Sequence, residues 1–124
     1  MRVLVGTNDY EGSSAFYEDV LGFPIAETWD DPDGRGTLFK ATDGAVIELV
    51  EDSPHHPYEP PRGVTVAIEV PDVDALHGRV TAAGIIPTEA LGNRPWGHRN
   101  FAIDDPSGLP LVFFSPLPTE ERAE

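Results

Sequence analysis

The feature that most constrains the fold is a weak internal repeat. At an offset of about 60 to 64 residues, Asp9 corresponds to Asp72, Gly22 to Gly84, and the turn Asp43-Gly44 to Ser107-Gly108. A cap, a helix stop and a turn recurring at one spacing require each half to build the same supersecondary unit, and an internal duplication is the economical explanation. Local patterns identify the unit. RVLVGT at residues 2–7 is a Val-rich run suited to a buried strand, followed by Asn8-Asp9 as a turn or cap. Over residues 11–21, Ala15, Phe16, Val20 and Leu21 recur at helical spacing, and Gly22 ends the helix. Residues 23–29, 36–41 and 45–50 read as strands separated by DDPDGR and TDG, whose glycines accept turn geometry.

The second half repeats this order. Residues 63–70 alternate as a strand and PDVD at 71–74 caps a helix. Leu76, Val80 and Ala83 share one side of it up to Gly84, and strands are expected at 85–90, 98–103 and 109–115. The predicted organisation is a first βαβββ module at 1–52, a Pro-rich connector at 53–62, a second βαβββ module at 63–116 and an acidic tail at 117–124. An open four-stranded sheet with one helix leaves a face uncovered, so the expected fold class is α+β: two tandem βαβββ modules whose curved sheets enclose a crevice. Strand alternation places Val3, Val5, Ile47, Leu49, Val64, Val66, Ile68, Leu111 and Phe113 under the helices. It turns Leu4, Val46, Glu48, Val50, Thr65, Ala67, Val112 and Phe114 toward the crevice.

Charge narrows the partners. Eight Lys+Arg against 22 Asp+Glu give a formal net charge of -14, which repels nucleic acid and anionic membranes and favours either a cationic ligand or simple solubility. No run approaches the ~20 apolar residues of a membrane span, and the chain opens directly into MRVLVGT, so a cytoplasmic location is expected. The absence of cysteine removes disulfides, thiolate metal sites and a cysteine nucleophile. The serines lie in helix, turn or strand-end contexts without a GxSxG elbow, and His55, His56, His77 and His98 show neither HxH nor HExxH spacing. The histidines therefore read as solvated or hydrogen-bonding side chains, and no metal ligands are assigned.

FYEDVLGF at 16–23, EVPDVDAL with its following AAG at 69–84, and RPWGHRNFAIDDPSG at 94–108 together resemble the vicinal oxygen chelate superfamily of glyoxalases, bleomycin-resistance proteins and extradiol dioxygenases. The resemblance spans nearly the whole chain. In the metal-dependent families it implies one ligand on the first strand and one on the last strand of each module, positions held here by Arg2, Glu48, Thr65 and Val112. Arg, Thr and Val do not serve as ligands for Zn, Fe or Mn, so the pattern is nearest the metal-free bleomycin-resistance type and no cofactor is expected. What it implies is a protein that sequesters a planar aromatic, peptide-like or cationic antibiotic without altering it. A glyoxalase- or dioxygenase-type enzyme with Glu48 as general base is the alternative. A homodimer joined across a two-fold axis is implied as well.

The candidate ligand-binding residues are Trp96, Trp29, Glu48, Phe39, Tyr58, Thr65, Val112, Phe114, Asp30 and Asp31. Trp96, in PWG, either stacks on a ligand or packs within its own turn; Trp29, beside Asp30 and Asp31, either recognises a cation or packs on an edge strand. Phe39 and Tyr58 either complete an aromatic wall or serve as packing. Glu48, among Ile47, Leu49 and Val50, needs a partner because an unpaired buried charge is costly, and Arg2 or a ligand cation would supply it.

Overall fold

The computed structural model describes residues 1–42 and 44–118, so Asp43 of the repeat and the acidic residues 119–124 lie outside the described residues. Strands β1 (Arg2–Thr7), β2 (Ile25–Asp31), β3 (Gly34–Thr42) and β4 (Ala45–Glu51) form one sheet in the order β1-β4-β3-β2, with β1 parallel to β4 and the other pairs antiparallel. Strands β5 (Val66–Glu69), β6 (Glu89–Asn93), β7 (His98–Asp104) and β8 (Pro110–Pro116) form a second sheet in the matching order β5-β8-β7-β6. Helix α1 (Tyr10–Ala15) follows β1 and helix α2 (Val73–Ala82) follows β5, which makes each half βαβββ. The chain separates into two compact units: residues 1–64 with the loop 105–109, and Thr65–Asp104 with the chain from Pro110 onward.

The repeated residues do the same work in each unit. Asp9 caps α1 by accepting from the Gly12 N–H at 3.1 Å, and Asp72 caps α2 by accepting from the Ala75 N–H at 3.0 Å. Gly22 and Gly84 end the helical segments at φ 74° and 86°, and Gly44 and Gly108 occupy the corresponding turns at 74° and 95°, a region that side chains adopt only with strain.

Helix α1 departs from the single helix expected over 11–21. It starts at Tyr10, and Phe16–Val20 continue it as a π turn in which the Leu21 N–H donates to the Phe16 carbonyl at 3.0 Å. The wider turn allows the consecutive rings of Phe16 and Tyr17, together with Leu21, to be buried on one side. Tyr17 packs against Phe16, Phe23 and Phe39 at centroid distances of 5.1, 6.4 and 5.5 Å. The second core is centred on Phe101 and Phe113, 5.6 Å apart, with His77 of α2 edge-on to Phe101 at 5.1 Å.

Val5, Ile47, Leu49, Ile68, Leu111 and Phe113 are buried, as the alternation predicts. Val64 is a correction: it is 48% exposed, because β5 begins only at Val66 and Val64 still belongs to the connector.

One buried polar node holds the loop 105–109 in the first unit. Asp105 Oδ1 accepts from the Ser107 N–H, the Ser107 hydroxyl and the Leu109 N–H at 2.9, 2.7 and 2.8 Å, while Oδ2 accepts from the Tyr17 hydroxyl at 2.5 Å. Burial, followed by the adjacent Asp105 charge, pushes the Tyr17 phenol far above its ordinary range, so it remains a donor at any working pH. The Tyr58 hydroxyl adds a bond to the Ser107 carbonyl at 2.8 Å.

Candidate functional site

A cavity of about 320 Å³ opens on the first sheet, on the face opposite α1. The strand period builds it. Ile47 and Leu49 point to the core, so their neighbours Glu48 and Val50 on β4 stand on the other face, and the parallel pairing of Leu4 with Glu48 brings Leu4 of β1 beside them. Across β3, the register Gly36–Val50 and Trp29–Gly36 carries the same face to Trp29 and Asp31 of β2. The β2–β3 turn contributes Asp33, the start of β3 contributes Arg35, and the connector contributes Ser53, His55 and His56.

Trp29 owes its orientation to a glycine. A β-carbon at Gly36 would fall inside the Trp29 indole, so the ring lies directly over the Gly36 backbone, and Gly36 itself is buried beneath it. A half-buried indole seated in this way offers a flat wall whose position a larger residue at 36 would not permit.

The carboxylates lining the cavity fall into two classes. Glu48 Oε1 takes the Arg2 guanidinium at 3.1 Å, the pairing anticipated from its apolar neighbours. Glu51 is held by Arg35 through two bonds of 3.1 and 2.5 Å, and Arg35 reaches Glu11 at 2.9 Å while lying 4.4 Å from the centroid of the Tyr10 ring. The hydrogen bonds from Arg35 hold both Glu51 and Glu11 below the usual carboxylate range, and those carboxylates in turn push the guanidinium up. Asp31 and Asp33 have no cationic partner among the described residues; Asp31 Oδ1 accepts the Asp33 backbone N–H at 3.0 Å. The surplus negative charge of the cavity therefore sits at the β2–β3 turn.

His55 and His56 enter the site although the sequence pattern gave them no role. Residues 53–56 fold back on themselves: the His56 N–H donates to the Ser53 hydroxyl at 3.0 Å and to the Ser53 carbonyl at 3.1 Å, while the Ser53 N–H donates to the His56 carbonyl at 3.2 Å. The turn brings the His56 ring beside Gly6 of β1. Its Nδ1 is shielded from solvent and has no hydrogen-bond partner among the described residues.

Of the ten residues expected to contact a ligand, Trp29, Glu48 and Asp31 line this cavity. Phe39 does not: it is fully buried on the opposite face against Tyr17. Asp30 is exposed and alternates away from Trp29 and Asp31. Tyr58 is committed to the fold, with its N–H on Asp52 Oδ1 at 2.8 Å and its hydroxyl on Ser107. Thr65, Trp96, Val112 and Phe114 belong to the second unit, where Thr65 is exposed and Phe114 stacks on His98 at 4.3 Å. Trp96 is 64% exposed, so its indole is not packed away in the PWG turn.

The donor set does not fit the metal chemistry of the resembled families. Glu48 already holds a guanidinium at 3.1 Å, Thr65 and Val112 provide neither carboxylate nor imidazole, and no group of three His, Asp or Glu side chains among the described residues is placed to hold a metal ion.

Comparison with known proteins gives a consistent assignment. The family model described as Glyoxalase/Bleomycin resistance protein/Dioxygenase superfamily matches residues 2–113. No match is found among curated proteins. Among solved structures, TioX from Micromonospora sp. ML1 shares 24% identity at a TM-score of 0.75, with 94% of this chain and 98% of that one covered. TnmS3, an antibiotic binding protein from Streptomyces sp. CB03234, shares 26% identity at a TM-score of 0.74, with 93% of each chain covered. A glyoxalase/bleomycin resistance protein from the same Streptomyces shares 26% identity at 0.72, covering 90% of this chain and 96% of that one.

Proposed function

This chain belongs to the glyoxalase/bleomycin resistance protein/dioxygenase superfamily, and from that premise we propose that it captures an aromatic, cation-bearing antibiotic or antibiotic-like molecule by reversible binding, without altering it. The observation that carries the reading is the cavity itself: an indole seated flat over Gly36, apolar Leu4 and Val50, and carboxylates at Asp31 and Asp33 that have no cationic partner among the described residues. The similarity to TnmS3, whose ligand is an antibiotic, supports the same class. Exposed Trp96 provides a second stacking surface within the chain. A general base at Glu48 is not favoured, because its carboxylate is engaged by Arg2.

No helix among the described residues is long and apolar enough to cross a membrane, and the proposed setting for drug capture is the cytoplasm. The working form is proposed to be a homodimer, for which sedimentation at micromolar concentration should give a species of twice 13.5 kDa; sedimentation as the single chain alone argues against it. For binding, tryptophan fluorescence titrated with intercalator-like and glycopeptide antibiotics should quench saturably, and the ligand should be recovered with unchanged mass. A panel that leaves the emission unmoved, or a ligand recovered as a product, contradicts the proposal.

A further inference from the structure

The connector between the repeats ends in a segment that the cavity does not use. Residues 57–62 read Pro57-Tyr58-Glu59-Pro60-Pro61-Arg62, belong to no helix or strand, and line no part of the cavity. Three prolines fix their own φ at about −65° and restrict the residue before each to extended backbone, which favours polyproline II geometry with three residues per turn. Burial follows that period. Tyr58 and Pro61, three apart, are half-buried, whereas Pro57, Glu59, Pro60 and Arg62 are exposed. The inward edge is pinned to the loop 105–109: the Tyr58 hydroxyl donates to the Ser107 carbonyl at 2.8 Å, and Pro61 Cδ lies 3.9 Å from where a Gly108 β-carbon would stand. The carbonyls of residues 57–62 accept no hydrogen bond among the described residues, and Arg62 has no ion pair among them although the chain carries a formal net charge of -14.

We propose that residues 57–62 form a docking strip for a protein module whose groove is lined by aromatic rings and ends in carboxylates. Grooves of that kind bind Pro-x-x-Pro segments, and Pro57 and Pro60 stand at that spacing on one exposed edge. A groove covers only two edges of a three-sided helix. The third edge here, Tyr58 and Pro61, is the one the fold already occupies, so docking requires no rearrangement. The prolines also pre-order the strip, which lowers the entropic cost of binding. Arg62, two residues beyond Pro60, selects the carboxylates at the end of the groove. A nucleic acid or an anionic membrane would offer the same arginine a negative surface, but the net charge of the chain repels both.

The probe is a purified SH3 domain that selects Pro-x-x-Pro-x-Arg peptides, isotope-labelled and titrated with the full chain while its groove resonances are followed by NMR. Saturable shifts confined to the groove are expected. Pro60→Ala and Arg62→Glu should each weaken binding about tenfold or more, while Pro61→Ala, on the inward edge, should change it less than threefold. Circular dichroism checks that each variant is folded, and Arg62→Glu, at an exposed site without a partner among the described residues, tests the strip even if a proline variant does not fold. Antibiotic titrations should be the same for Arg62→Glu as for the parent, so the strip and the cavity stand or fall separately. The proposal is overturned if the folded chain leaves the groove resonances unmoved, if binding ignores Arg62→Glu, or if Pro61→Ala weakens it as much as Pro60→Ala. Loss of a dimer in sedimentation of Arg62→Glu also overturns it, because the strip is then covered by a second copy of the chain.

Discussion

Replacing Asp105 by alanine is expected to remove about 3 to 5 kcal/mol of stability, since it strands several buried donors at ~1 to 3 kcal/mol each, less what entering water recovers. The donors are the Tyr17 hydroxyl, the Ser107 N–H and hydroxyl, and the Leu109 N–H, and all of them converge on a carboxylate that is 4% exposed. For a chain of this size the loss corresponds to a fall in thermal midpoint of roughly 10 to 20 °C. Tyr17→Phe should cost less, about 1 to 3 kcal/mol, because one oxygen loses one donor while the other oxygen keeps its three. Urea unfolding of both variants measures the difference directly. If Asp105→Ala melts within a few degrees of the parent, the node does not secure the loop.

The second large effect is on binding and leaves the fold intact. Gly36→Val should reduce affinity for an aromatic ligand by at least about tenfold, as loss of a stacking wall and its buried area would. The valine β-carbon occupies the space of the Trp29 indole, so the ring has to leave the cavity wall. Valine is at the same time a favourable strand residue, so β3 should persist. The displaced indole should shift its emission to the red, reporting the movement independently of any ligand. A Gly36→Val protein that binds as tightly as the parent would mean that Trp29 is not the wall.

Much of this site is visible in the strand pattern, because alternation is local. Leu4, Glu48 and Val50 follow from the apolar phase of β1 and β4, and the Arg2–Glu48 pair follows from the cost of a charge among Ile47, Leu49 and Val50. Phe39 is ambiguous for a specific reason: Leu38 and Phe39 are both apolar, so β3 does not declare its faces, and only pairing with Ile47 turns Phe39 inward. The remaining features depend on contacts remote in sequence. Trp29 is fixed by Gly36 across a hairpin, a register that the turn DDPDGR could have supplied. His56 reaches Gly6 because residues 53–56 turn, whereas an extended connector would have sent the two histidines to opposite sides. The Tyr17–Asp105 bond spans 88 residues and has no local signature.

The most direct test of ligand capture on the first sheet is a crystal structure of the chain with proflavine, a tricyclic aromatic cation, at saturating concentration. The tricyclic ring should appear parallel to the Trp29 indole, on the side away from Gly36, with its charged edge toward Asp31 and Asp33. Proflavine ordered elsewhere on the chain, with the cavity between Trp29, Glu48 and His56 left empty, would contradict the account.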